Sequence, residues 1–209
     1  MNFSNIKNII FDLGNVVIDI DPSKTYQSFA NLSKSKNAIE VEQLIKEKHI
    51  WLDYEKGFNT EGEFRETLTQ ALDLQATYTQ IDQAFNALLL DIDPRRIDLI
   101  ERLGKSFRLF VLSNTSKIHM DEFEKIAHRC TGRPNIWSLF EKPYFSFEMG
   151  KLKPELEIYQ EVLDSSNLLP EQTLFIDDLL PNIEGAKLLH INTIHLVKPF
   201  TIVDHLYEI

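Results

Sequence analysis

Short apolar runs, set far apart, punctuate this chain, and longer segments with apolar residues every three or four positions fill the intervals. Residues 8–11, 108–112, 173–176 and 192–197 are each apolar, short and without strict alternation, so each predicts a strand covered on both faces. Residues 144–147 predict a further short strand. Asp93-Pro94 opens a helix, with Asp as cap and Pro in the first turn, and Gly104 closes it. Pro154 opens another, carrying Leu156, Ile158, Tyr159 and Val162 at helical spacing, and Pro181 starts a third over 182–190. Strands alternating with helices imply right-handed βαβ crossovers and a largely parallel sheet.

The stretch 21–91 breaks this alternation and reads as helices alone. Asp21-Pro22 is a cap signal, Thr60 and Glu63 have the spacing of a capping box, and Gly57 sits where a helix should end. Leu68, Ala71 and Leu72 form one amphipathic face, and Ile81, Phe85 and Leu88 another. The expected architecture is therefore an α/β core of 1–20 and 92–209, Rossmann-like with a parallel sheet, interrupted by a small all-helical cap of 21–91.

A length of 209 residues suits such a core with one modest insertion. The net charge of −10 argues against nucleic acid as a partner, because nonspecific binding there relies on Lys and Arg neutralising phosphates. Cys130 is the sole cysteine, which predicts a reducing compartment. The start of the chain lacks a basic, long apolar leader, and no apolar run approaches the ~20 residues that span a bilayer. The expectation is a cytoplasmic protein with no membrane partner. The six histidines show no metal-ligand spacing, and Arg95-Arg96 reads as helix surface.

Polar residues interrupt the pattern at four places. Asp12 follows Ile9-Ile10-Phe11, Ser113-Asn114-Thr115 follow Val111-Leu112, and Asp177-Asp178 follow Phe175-Ile176. All three groups emerge at the carboxyl ends of strands, the edge where open parallel sheets bind ligands. Lys151-Leu152-Lys153-Pro154 lies before a helix start near that edge.

In order and chemistry these four segments resemble the motifs of the haloacid dehalogenase superfamily, whose members are mostly Mg²⁺-dependent phosphatases. The resemblance covers essentially the whole chain, with the helical insertion matching the family's cap. It implies Asp12 as a nucleophile that forms an aspartyl-phosphate, splitting hydrolysis into two easier steps. It implies Mg²⁺ held by the Asp12 and Asp178 side chains and the Gly14 carbonyl, with Asp177 either a supporting partner or a water-held ligand. Lys153 balances the negative charge. Ser113 donates to a phosphate oxygen, Asn114 to phosphate or cap, and backbone N–H groups around Leu13, Gly14 and Asn15 complete the cradle.

Gly14 departs from the family pattern, since most of its phosphatases carry there a second Asp as general acid and base. Such help is worth typically 10²–10⁴-fold. Either the leaving group needs little protonation, or another carboxylate stands in (Asp53 or Glu55 of the cap, or Asp177), or the protein hydrolyses slowly. The run Asp12-Leu13-Gly14-Asn15-Val16 with Asp19-Ile20-Asp21 resembles a branch that includes an α-D-glucose-1-phosphate phosphatase. The implied substrate is a small phosphate ester such as a hexose 1-phosphate. The alternatives are a 2-haloacid dehalogenase-like hydrolase and a non-catalytic binder of phosphorylated metabolites. Oligomeric state is not legible.

Overall fold

The computed structural model describes residues 4–206; residues 1–3 and 207–209, the outer ends of the expected core segments, lie outside the described residues. Five strands, β1 (Asn8–Phe11), β2 (Arg108–Ser113), β3 (Lys142–Phe145), β4 (Thr173–Asp177) and β5 (Asn192–His195), pair in parallel in the order β3-β2-β1-β4-β5. β1 is central, with Phe11 opposite Val111 on one side and Ile176 on the other. The unbroken apolar runs reflect burial on two faces. Ile9, Phe11, Val111 and Ile176 pack into one cluster, whereas Ile10, Phe110 and Phe175 pack into another. At about 1.5–3 kcal/mol for each large side chain fully buried, these faces make the sheet a rigid base for whatever stands at its edge.

A block of five helices follows β1: α1 (Pro22–Leu32), α2 (Ala38–Glu47), α3 (Ile50–Glu55), α4 (Glu61–Leu72) and α5 (Tyr78–Asn86). Asp21 caps α1, and Thr60 with Glu63 closes a capping box on α4. Two further boxes, Asn37 with Glu40 and Thr77 with Gln80, start α2 and α5. The apolar faces of these helices meet in a cluster of their own, including Phe29, Val41, Phe64, Leu68 and Phe85, which Ile118 joins from outside the block.

The α/β alternation resumes with α6 (Pro94–Leu103), α7 (Lys117–Thr131), α8 (Ser146–Met149), α9 (Leu156–Ser166), α10 (Leu180–Leu188) and α11 (Ile202–Leu206). Asp93 caps α6 and Gly104 follows its last turn, as the sequence predicts. Among the described residues no helix is long and apolar enough to cross a membrane.

Three local expectations need correction. The aromatic run 144–147 is split, with Ser146 and Phe147 in α8. The Ser146 hydroxyl is buried and braced against Thr115, accepting from its N–H (2.9 Å) and donating to its carbonyl (3.0 Å), and this anchors the turn at the end of β3. The helix after Pro154 starts at Leu156, because Leu152 to Glu155 form a turn closed by the Glu155 N–H on the Leu152 carbonyl (2.9 Å). Arg96 is buried rather than exposed, where it holds Asp19 at 2.9 Å and so ties the exit from the core to α6.

Candidate active site

Three neighbouring strands deliver polar side chains to one edge of the sheet. Ser113 and Asp177 are the last residues of β2 and β4, and Asp12, directly after β1, donates its N–H to the Ile176 carbonyl (2.9 Å). Lys153 reaches into the space between them and is only 4% exposed. Its ammonium donates to Asp12 Oδ1 (2.7 Å), Asp177 Oδ2 (2.6 Å) and the Leu112 carbonyl (2.9 Å). Those three bonds use all three ammonium protons.

Asn114 supports Lys153 from behind. Its carboxamide accepts from the Lys153 N–H and donates to the Lys153 carbonyl, both at 2.9 Å. A side chain expected to meet phosphate or cap thus locks the loop that presents the lysine.

Asp177 is fully buried. Besides Lys153, it accepts from the Leu179 N–H (2.8 Å) and from Asn182 Nδ2, which lies 3.0 Å from both carboxylate oxygens. Asn182 escaped the sequence reading; its one signal is a place in the first turn of the helix after the acidic pair. Asp178 is half-buried and accepts from Asn15 Nδ2 (2.8 Å). Asn15 adopts φ 55°, a left-handed conformation that Asn tolerates better than most residues. Its carboxamide oxygen receives the Ile20 N–H (3.2 Å), and its own N–H bonds the Ile18 carbonyl (2.7 Å). Any backbone cradle therefore falls to Leu13 and Gly14, with Asn15 acting through its side chain.

Oxygens of Asp12, Asp177 and Asp178 lie within 4.8 Å of one another. Three carboxylates face a single ammonium, and two of them, Asp12 and Asp178, are raised. Burial pushes Asp12 up to about 7, with Asp177 and Asp178 adding to the rise while Lys153 opposes it. Burial likewise raises Asp178. Burial alone would lower Lys153, but Asp12 and Asp177 outweigh it and hold the ammonium above the usual lysine range. A hard divalent cation fits this donor set, which is all oxygen and short of positive charge.

A cavity beside the acids is lined by Leu13, Gly14 and Ser113 from the core and by Trp51 and Glu55 from α3. Asp53, two residues before Glu55, is not among its lining residues. A Cβ at position 14 would stand 2.9 Å from Ile20 Cδ1, so Ile20 fills the space that a side chain there would enter. His119 of α7 also lines the cavity; its Nδ1 faces Asn86 Oδ1 (2.8 Å), and its buried Nε2 has no hydrogen-bond partner.

Comparison with known proteins assigns the family. The family model for haloacid dehalogenase-like hydrolases matches residues 9–196, and the chain belongs to that family. A D-ribitol-5-phosphate phosphatase of Bacteroides thetaiotaomicron is 31% identical over 188 residues, which cover 90% of each chain. A predicted family hydrolase from Porphyromonas gingivalis superposes with TM-score 0.88 at 32% identity, covering 98% of both chains. A family enzyme of B. thetaiotaomicron, solved with magnesium and inorganic phosphate, gives TM-score 0.81 at 33% identity over 93% of this chain and 96% of that one.

Proposed function

We propose that the chain is a Mg²⁺-dependent phosphatase of small hydroxylated metabolites, acting on sugar or alditol phosphates through an aspartyl-phosphate on Asp12. The observation that carries this reading is the cluster of Asp12, Lys153, Asp177 and Asp178 at the ends of adjacent strands. Asp12 and Asp178, with the Gly14 carbonyl, hold Mg²⁺, which supplies charge neutralisation for the transferring phosphoryl group. Asp177, already saturated by Lys153, Asn182 and the Leu179 N–H, acts by fixing the lysine.

Asp12 attacks phosphorus in line with the leaving oxygen. Ser113 and the N–H groups of Leu13 and Gly14 hold the phosphoryl oxygens as charge develops, where preorganised donors contribute most, while Lys153, bonded to Asp12, stabilises that charge through its own. Residues 21–91 act as a cap that covers the site and excludes water. Within the cavity, burial lowers the His119 imidazole to about 3, so it stays neutral. With Nδ1 donating to Asn86, Nε2 is left as a buried acceptor without a partner.

The relative named for D-ribitol 5-phosphate makes primary alditol phosphates the first candidates, beside the hexose 1-phosphates suggested by the sequence. The lone free cysteine, Cys130, suits a cytoplasmic setting. Phosphate release should be screened with Mg²⁺, against an EDTA control, on anomeric and primary-alcohol esters side by side. Release by the wild type and none by Asp12→Asn is expected; no release from any ester would overturn the reading.

A further inference from the structure

We propose that Glu55, presented by the cap, is the general acid and base of this enzyme, in place of the carboxylate missing at position 14. The inference rests on the phosphatase reading above. Position 14 cannot supply the proton, and Ile20 occupies the space such a side chain would need. Glu55, from α3, lines the same cavity as Gly14.

Three contacts fix it there. Trp51 Nε1 donates to Glu55 Oε1 (2.8 Å) one helical turn away, orienting the carboxyl. The next residue, Lys56, pairs with Glu155 Oε1 (2.6 Å), two residues beyond Lys153. Gly57, at φ +70°, approaches so closely that a Cβ there would lie 2.2 Å from the Phe147 carbonyl. The turn that carries Glu55 is thus seated on the core loop that carries the catalytic lysine. Glu55 also lines, with Trp51, an open groove on the cap bordered by Tyr26, Lys46 and Leu52, so the residue borders both the buried site and a solvent-facing space, as a group that exchanges protons each turnover must. Burial pushes Glu55 up to about 7, despite the pull of Trp51 and Lys153, which suits it to give and take a proton near neutrality.

In the first step an Asp12 oxygen bonds to phosphorus as the bond to the leaving oxygen breaks. The electron pair stays on that oxygen, which takes the Glu55 proton and departs as an alcohol. In the second step water gives a proton to the Glu55 carboxylate while its oxygen bonds to phosphorus. The Asp12–phosphorus bond breaks, which returns Asp12 as a carboxylate, leaves Glu55 protonated and frees inorganic phosphate.

The test compares wild type and Glu55→Gln, both with Mg²⁺, on the best primary-alcohol ester from the screen and on 4-nitrophenyl phosphate. Gln keeps an acceptor for Trp51 but cannot transfer the proton. For the alkyl ester kcat/KM should fall by about 10²-fold or more, and for the aryl ester by under about 10-fold, because nitrophenolate leaves without protonation. The aryl ester should also give a burst of nitrophenolate near one equivalent, followed by slow turnover, as aspartyl-phosphate accumulates. Glu55→Ala, checked for folding by circular dichroism, should regain turnover with added formate. Equal losses on both esters without a burst, or no loss, would overturn the role of Glu55 while leaving the phosphatase reading intact. A wild type inactive on every ester would overturn both.

Discussion

Lys56, just after α3, and Glu155 stand 2.6 Å apart, and this pair ties α3 to the turn that contains Lys153. Both side chains are partly exposed, so the bridge is worth about 1 kcal/mol at most. A weak tie suits the cap proposed above, which has to part from the core for substrate to enter. Lys56→Ala and Glu155→Ala should each lower kcat/KM by about 5-fold, the rate equivalent of that energy, with little change in melting temperature. The double variant should match either single one in a double-mutant cycle; additive losses would show that the two residues act separately.

The two adjacent acids should separate cleanly in mutants. Asp178 is half-buried and accepts from Asn15, whereas Asp177 is fully buried and held by Lys153, Asn182 and the Leu179 N–H. Asp178→Asn should raise the Mg²⁺ concentration needed for half-maximal activity at least about 10-fold with near-normal stability, as expected for a lost ligand. Asp177→Asn should instead cost about 3–5 kcal/mol in denaturant unfolding, because it breaks a buried pair with Lys153. Titration with Mg²⁺ and urea melts would decide; the reverse pattern would exchange the two roles.

The core was legible because its physics is local. Apolar runs covered on both faces, Asp-Pro and Thr-x-x-Glu caps, and polar residues at strand ends all leave marks over a few positions, and Asp12, Ser113, Lys153 and Asp177 do converge. Less legible were roles set by partners distant in the chain. Asn114 reads as a turn residue, and only the fold places its carboxamide on the Lys153 backbone, 39 residues away. Asn182, Arg96 and His119 were similarly silent, since burial, not spacing, gives each its meaning. The choice between Asp53 and Glu55 was open because two residues on a short helix diverge by about half a turn, and only the orientation of α3 decides which faces the cavity.

His119 offers a test of a buried ring's charge. Its ring stacks on Phe85 with centroids 3.9 Å apart, so His119→Phe should keep the packing while deleting a group that can take up a proton, and urea unfolding across pH reads the difference. The folded-state imidazole is lowered to about 3 against an ordinary 6.5, so the wild type loses stability as pH falls between those values, and the variant should be flatter there.

Glu55 should show the opposite slope. Its carboxyl is raised from 4.5 to about 7, chiefly by burial, so the folded state holds a proton that the unfolded chain releases. Stability is then full below about 4.5 and declines as pH rises towards 7, by roughly 3 kcal/mol at most. The groups around it are Asp12 and Lys153 from the core, His119 from α7, and Lys46 and His49 across the cap groove. Asp12 shifts in the same direction, so the wild-type slope belongs to both carboxyls, and the difference between wild type and Glu55→Gln isolates the second. In Mg²⁺-free urea unfolding, Glu55→Gln should gain on the wild type as pH rises from about 4.5 to 7 and hold that gain above. Higher stability at pH 8 together with lost turnover of alkyl esters would mark a carboxyl held in an unfavourable place for its chemistry. A variant less stable than wild type at every pH would instead make Glu55 a structural anchor for α3.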